Sequence, residues 1–84
     1  MPPYAEKFPV GASVRVVDKT ALKRFRSNWH LHNPLVPEQI GWAGKHAVVA
    51  EVGFYHGGDP LYVLRGVPGV WHEECLVAIP DQAP

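Results

Sequence analysis

The pattern of apolar and polar positions along the chain predicts five short β-strands and little helix. Each strand is rich in β-branched, leucine or aromatic residues, and together they cover residues 12–17, 46–55, 61–65, 69–72 and 76–79. Alternation in the first strand places Val14 and Val16 on one face, and we expect Phe8 and Val10 to pack beneath that face. In the long second strand, Gly53 is the expected bulge or kink.

The segment between the first two predicted strands, residues 19–42, has no sustained alternation of apolar and polar residues. A short helical turn is expected at residues 20–26, because Ala21, Leu22 and Phe25 fall at helical spacing. The remainder is predicted to be a long, structured loop. In small domains, connections of this length more often have a function than serve only to link two strands, because loops carry the contacts that a rigid scaffold presents.

The order of the predicted elements indicates the fold. A strand, a long loop, a strand, a short loop, a strand, a tight turn and a strand lead to a single 3₁₀ turn at Glu73–Cys75 and a last strand. This order is typical of the SH3-like barrel. We therefore predict an all-β fold, a five-stranded SH3-like barrel with a long first loop. The 84 residues are expected to form one domain, 1–84, with its core at residues 8–79 and flexible tails at 1–7 and 80–84.

Composition narrows the possible environments of the chain. A single cysteine, Cys75, excludes an internal disulfide framework and fits a reducing compartment. The first eleven residues lack the apolar core of a signal peptide, and no apolar run approaches the roughly 18 residues that a membrane span requires. We therefore expect a cytoplasmic protein with no membrane partner.

Charge is unevenly distributed along a chain whose net charge is zero. Residues 1–45 hold seven of the eight Lys and Arg residues against three acids, whereas residues 46–84 hold one Arg against five acids. The first part therefore carries +4 and the second −4. Such polarity favours head-to-tail contacts or binding to a charged partner.

Two stretches resemble the C-terminal barrel of nitrile hydratase β subunits. Phe8-Pro9-Val10-Gly11 followed by Val14-Arg15-Val16 resembles the opening of that barrel, and Pro60-Leu61-Tyr62-Val63 resembles one of its strands. Four further positions are similar to a segment between them: His32, Pro37, Gly41 and Gly44. The resemblance implies a non-catalytic subunit or assembly factor beside a metal-bearing partner, with no metal ligands on this chain.

The same Phe, Gly and Val-Arg opening is also similar to plasmid-borne type II dihydrofolate reductase, a tetramer of short SH3-like chains with a shared catalytic pore. Val70-Trp71-His72-Glu73 occupies the place of the pore strand of that family, after Pro68-Gly69. Trp71 and His72 replace the Gln and Ile of the family pattern. This resemblance therefore implies self-assembly more than it implies reductase chemistry.

The first candidate site is a basic, aromatic-bearing stretch without any acidic residue. It consists of Lys19, Lys23, Arg24, Arg26, Trp29, His30 and His32. Lys and Arg could bind a phosphate backbone while Trp29 stacks on bases. The same stretch could instead dock a protein, or it could be a solvated loop whose Phe25 and Trp29 fold back onto the barrel.

A second candidate contact is the rim formed by Trp71, His72 and Glu73. Trp71 belongs either to an exposed aromatic patch, of the kind that marks an interface, or to the core. The histidines at 30, 32, 56 and 72 could bind a metal, and His72 could pair with Cys75 as base and nucleophile, but neither spacing is specific. We therefore predict no catalytic residue, no metal ligand and no cofactor.

These patterns favour a non-catalytic interaction module or accessory subunit that docks a protein or associates with itself. Two alternatives from other classes stay open. One is a small self-assembling enzyme of the type II dihydrofolate reductase kind, and the other is a nucleic-acid-binding protein that uses the basic stretch 19–32.

Overall fold

The computed structural model describes residues 6–55 and 58–79, so the predicted tail at 80–84 and the first five residues lie outside the described residues. Five strands form in the predicted order: β1 (Ser13–Val16), β2 (His46–Tyr55), β3 (Asp59–Leu64), β4 (Trp71–His72) and β5 (Leu76–Ala78). The predicted 3₁₀ turn at Glu73–Cys75 is confirmed. The ends of the other strands differ from the predicted ends by at most two residues, and the predicted bounds of β2 are confirmed.

All five strands belong to one antiparallel sheet in the order β4-β3-β2-β1-β5. The sheet is open, since among the described residues the edge strands β4 and β5 pair only with β3 and β1. Only the three residues Glu73–Cys75 join these two edges. A three-residue link spans at most about 11 Å, so the sheet must curl strongly.

The bend in β2 lies earlier than the sequence predicts. The pairing of β2 with β3 shifts register between Val49 and Glu51, which leaves Ala50 as the extra residue. Gly53, the predicted bulge, instead pairs regularly with Leu61. A bulge at Ala50 increases the local twist, and it falls where β2 changes partner from β1 to β3.

Two helices lie between β1 and β2, where a single helical turn and a long loop are predicted. Helix α1 (Lys19–Asn28) is ten residues long, and helix α2 (Pro37–Ile40) is a single turn. The carboxylate of Asp18 caps α1 by accepting a hydrogen bond from the backbone N–H of Ala21 at 2.8 Å. The predicted helical turn is therefore longer than expected, and the predicted loop is confirmed at residues 29–36 and 41–42 but is interrupted by α2.

A buried glutamine ties α2 to the sheet. Gln39 Oε1 accepts a hydrogen bond from Val36 N–H at 2.9 Å, and Gln39 Nε2 donates one to the carbonyl of Val70 at 3.0 Å. Both polar ends of this buried side chain are therefore satisfied, which removes the usual cost of burying an amide.

One hydrophobic core joins the sheet to the helical segment. Its buried members are Phe8, Val14, Val16, Leu22, Leu35, Val49, Tyr62, Leu64, Val67, Trp71, Cys75 and Leu76. Burial of Phe8, Val14 and Val16 confirms the predicted packing at the first strand, but Val10 is 62% exposed and that prediction was wrong. Lys7, placed in the flexible tail by the sequence, donates its backbone N–H to Tyr62 and Glu73.

Across the part of the chain that the structure describes, no helix combines the length and apolar character that crossing a bilayer demands.

Candidate functional site

Helix α1 separates an apolar face from a charged one. Ala21, Leu22, Phe25 and the following Trp29 lie on one side, where Leu22 is fully buried and the other three are half-buried. The four predicted basic site residues of this segment all lie on the helix and are exposed: Lys19, Lys23, Arg24 and Arg26.

Three of these cations form a row. Lys19, Lys23 and Arg26 follow the spacing i, i+4, i+7, which places them on one face of α1. Lys23 and Arg26 also line one surface depression together with Ser27. We call Lys19, Lys23 and Arg26 the basic row. Arg24 lies on the other side of the helix and lines a groove with Glu74.

No carboxylate among the described residues pairs with the basic row. Within residues 6–55 and 58–79, none of its three side chains forms an ion pair with an aspartate or glutamate. Like charges at i, i+4 spacing destabilise a helix by a few tenths of a kcal/mol per pair. The helix therefore presents a concentrated positive charge that the carboxylates of residues 6–55 and 58–79 do not pair with.

Trp29 sits at the centre of a cluster of rings. It stacks on Phe25 with 5.3 Å between centroids and 15° between planes, and it lies 4.6 Å from the ring of His72. Its backbone N–H donates a hydrogen bond to the carbonyl of Phe25 and so caps the C-terminal end of α1. Its indole Nε1–H donates to the carbonyl of His32 at 2.6 Å. Trp29 is therefore held against the protein and does not form a freely exposed stacking platform.

His72 is buried, with 4% of its surface exposed, and its ring faces the loop after α1. Its Nε2–H donates to the carbonyl of Asn33 at 2.8 Å, which assigns the proton to Nε2. Burial lowers the pKa of His72 below its ordinary value of 6.5, and the hydrogen bond to Asn33 offsets this only in part. His72 therefore holds the loop in place as a neutral imidazole.

His32 contacts the end of the β2–β3 hairpin. Its ring stacks on Tyr55 with 3.6 Å between centroids and 8° between planes, and its Nε2 lies 3.4 Å from Asp59 Oδ2. Tyr55 and Asp59 are direct cross-strand partners, so one imidazole reaches both. The His32 side chain is only 10% exposed. The other histidine of the predicted stretch, His30, is exposed.

Glu73, predicted as a rim contact, has an internal role. One of its carboxylate oxygens accepts hydrogen bonds from Tyr62 Oη at 2.5 Å and from the backbone N–H of Lys7 at 3.0 Å. Burial, together with the hydrogen bond to Glu73, raises the pKa of Tyr62 to about 12. Glu73 therefore anchors the segment that precedes β1, and it is half-buried.

Trp71 and Cys75 both belong to the core. Trp71 is fully buried, so of the two placements that the sequence left open, the core placement is the one observed. Its side chain is therefore not accessible to a binding partner. Burial raises the pKa of the Cys75 thiol to about 12, which leaves it protonated and unreactive near neutral pH. Among the described residues no hydrogen bond joins the His72 ring to Cys75, and the ring bonds to the carbonyl of Asn33 through Nε2.

A groove runs beside Trp29 and combines two adjoining cavities. The larger, of about 250 Å³, is lined by Ala21, Arg24, Phe25, Asn28, Trp29 and Glu74. The smaller, of about 130 Å³, is lined by Trp29, Asp59, Pro60, His72, Glu73 and Glu74. The two share Trp29 and Glu74, and together we call them the Trp29 groove.

Sequence patterns do not identify several residues of this groove. Phe25, Asn28, Asp59 and Glu74 line it or flank it, and none is among the predicted site residues. Asp59 could have been placed by strand pairing, since it lies two residues before Leu61, which pairs with His72. Glu74 gives no such signal, because its position depends on the 3₁₀ turn and on the docking of α1.

Metal binding by the histidines has no geometric support among residues 6–55 and 58–79, where no three His, Cys, Asp or Glu side chains group as metal ligands would. His56, which the sequence groups with the other histidines, lies outside the described residues.

Comparison of the chain with protein-family models, curated proteins and solved structures finds no match in any of the three. The resemblances to nitrile hydratase β subunits and to type II dihydrofolate reductase therefore stay predictions.

Proposed function

We propose that this chain is a non-catalytic SH3-like interaction module or accessory subunit that docks an acidic surface of a protein partner through the basic row. The observation that carries this proposal is the row itself: three exposed cations on one helix face without a carboxylate partner among the described residues. A row of like charges lowers the stability of the helix. We expect such a row to be retained where an external anion binds to it and neutralises the charge.

The SH3-like part of the proposal is supported by the strand order and by the 3₁₀ turn that links the two edge strands. An accessory subunit beside a metal-bearing partner is its most specific form, since Phe8 to Val16 and Pro60 to Val63 resemble nitrile hydratase β subunits. In that form the basic row is the surface that faces the partner.

Nucleic acid is the second candidate for the same surface, because a linear row of Lys and Arg also suits a phosphate backbone. A protein partner is favoured over it for two reasons. Trp29 is fixed by Phe25, His72 and its own hydrogen bond, so it is not presented for base stacking. The whole chain also lacks the basic excess typical of nucleic-acid-binding domains.

The test compares two double variants that each remove two exposed cations. Lys23→Ala with Arg26→Ala removes most of the row, and Lys45→Ala with Arg65→Ala removes two cations elsewhere. We expect the first pair to weaken binding of fluorescent poly-glutamate by about tenfold in anisotropy titrations, and the second to change it by less than about threefold.

A duplex oligonucleotide in the same assay separates the two partners. Tighter binding of poly-glutamate than of the duplex at equal salt supports the acidic protein partner, whereas preference for the duplex supports nucleic acid. Equal losses in the two double variants would contradict a role for the basic row. We use point variants instead of deleting the segment 20–34, because such a deletion would remove the buried side chain of Leu22 and disrupt the core.

A further inference from the structure

The Trp29 groove differs in charge from the basic row beside it. Three carboxylates line its smaller cavity, those of Asp59, Glu73 and Glu74, while the larger cavity is lined by Arg24 as well as Glu74. His72 in the wall adds no positive charge near neutral pH, since burial lowers its pKa. The smaller cavity is therefore anionic, whereas the larger one carries one cation and one carboxylate.

The carboxylates are not equally available. Glu73 already accepts two hydrogen bonds, from Tyr62 and Lys7, and Asp59 faces His32. Glu74 is exposed and forms no ion pair within residues 6–55 and 58–79. Glu74 also lines both cavities, so its carboxylate can reach a group placed in either of them.

Apolar side chains form part of the wall in both cavities. Phe25 and Trp29 stack on one another along the groove, with Ala21 beside them in the larger cavity and Pro60 in the smaller. A long side chain with a cationic head suits such a surface, because its methylene stem can pack on the rings while its head reaches carboxylates. The concave shape favours a ligand that inserts a side chain and disfavours a partner with a flat surface.

We propose that the Trp29 groove binds a peptide segment of a protein partner that carries an arginine, with the guanidinium in the cavity formed by Asp59, Glu73 and Glu74 and the preceding apolar residue against Phe25 and Trp29. Charge complementarity and the apolar walls select this occupant. Arg24, which lines the larger cavity, is available to pair with a carbonyl or carboxylate of the same segment.

This site is separate from the basic row, and the proposal does not depend on the row binding anything. Lys19, Lys23 and Arg26 line neither cavity of the groove. A protein that loses poly-glutamate binding on Lys23→Ala with Arg26→Ala is therefore expected to keep its affinity for an arginine peptide. An experiment that contradicts one proposal therefore leaves the other unaffected.

The probe is acetyl-leucyl-arginine amide, titrated into the ¹⁵N-labelled full chain at about pH 8, where a histidine of ordinary pKa is neutral. We expect saturable shifts of the Trp29 indole N–H resonance, with dissociation constants in the millimolar range, while the indole of Trp42 does not move. The matched peptide with citrulline in place of arginine keeps the shape of the side chain but removes the charge and replaces one N–H donor group by a carbonyl acceptor, and we expect its binding to be several-fold weaker.

Variants of the chain complete the test. Glu74→Gln and Asp59→Asn each remove one groove carboxylate at an exposed position, and we expect each to weaken arginine-peptide binding about two- to fivefold, the range for one solvent-accessible ion pair. Glu51→Gln removes an exposed carboxylate on β2 outside the groove, and we expect it to leave binding unchanged.

Three results would overturn the proposal. The first is absence of saturable shifts at Trp29, and the second is equal binding of the citrulline peptide. The third is a loss in Glu51→Gln as large as in Glu74→Gln, which would indicate attraction to the overall charge and no defined site. Amide spectra of each variant show whether the fold is retained, and the two groove variants test the same carboxylate cavity independently.

Discussion

Histidines at the end of the sheet make structural contacts that their sequence positions do not predict. His72 secures the loop after α1 through the carbonyl of Asn33, a residue held at a φ of 49°. Asparagine adopts this left-handed region more readily than other non-glycine residues, and the hydrogen bond from His72 adds to the stability of this turn. The charge state of His72 should therefore influence the stability of the whole site.

We expect the free energy of unfolding to fall as the pH drops through about 6.5 and below. Because the pKa of His72 is lowered in the folded state, the unfolded chain binds a proton more readily, and stability present above the ordinary pKa is lost on acidification. Urea denaturation of the wild type and of His72→Gln across this range measures the effect, and the variant should show the shallower decline.

His46→Gln is the matched control for this pH dependence, since His46 is exposed on β2. Its profile should follow the wild type. The charged or titratable groups that act on the His72 ring are His32, Asp59 and Glu74, and all three remain in both variants. An unchanged slope in His72→Gln would show that another group causes the decline.

Among the elements, α2 and the turn before β4 depend on each other. Gln39 reaches across to the carbonyl of Val70, and it also fills the space where Gly69 would carry a side chain. A Cβ at Gly69 would lie 2.8 Å from Gln39 Nε2 and 2.9 Å from its Cδ, closer than such atoms can approach. Gly69 is therefore required both by its φ of 85° and by this contact.

Gly66 and Gly69 allow these two requirements to be separated. Gly66 also has a positive φ, 71°, but a Cβ there would meet nothing within 4 Å. We expect Gly66→Ala to cost about 1–2 kcal/mol through backbone strain alone. Gly69→Ala should cost about 1–3 kcal/mol more, because Gln39 must also move. Thermal unfolding of both variants measures the difference, and equal losses would contradict a structural role for the Gln39 contact.

In the whole molecule, α1 belongs to the same core as the sheet, since Leu22 is fully buried among strand residues. The helix is thus part of the scaffold and presents the basic row from a fixed position. This arrangement also concentrates the opposite charges of the two chain halves on neighbouring surfaces, with the basic row on α1 and the carboxylates of Asp59 and Glu74 in the Trp29 groove.

Leu22→Ala should accordingly destabilise the whole domain by about 2–5 kcal/mol, the usual cost of truncating a buried leucine. Far-ultraviolet circular dichroism and tryptophan fluorescence should report one shared transition in urea, moved to lower denaturant. Lys23→Ala, at the adjacent exposed position, should change stability by no more than about 0.5 kcal/mol. Loss of helix signal with an unmoved fluorescence transition would mean that α1 unfolds separately from the sheet.

The amino-acid sequence by itself determined the strands and the 3₁₀ turn, because β-branched and aromatic residues at period 2 and the turn residues around them act locally. Only the tertiary structure decided the rest. Helix α1 extends to Asn28 because its apolar face docks on the core, and the bulge falls at Ala50 because β2 changes partner there. Trp29, His32 and His72 meet Asp59 and Glu74 through contacts between distant segments, which no local pattern encodes.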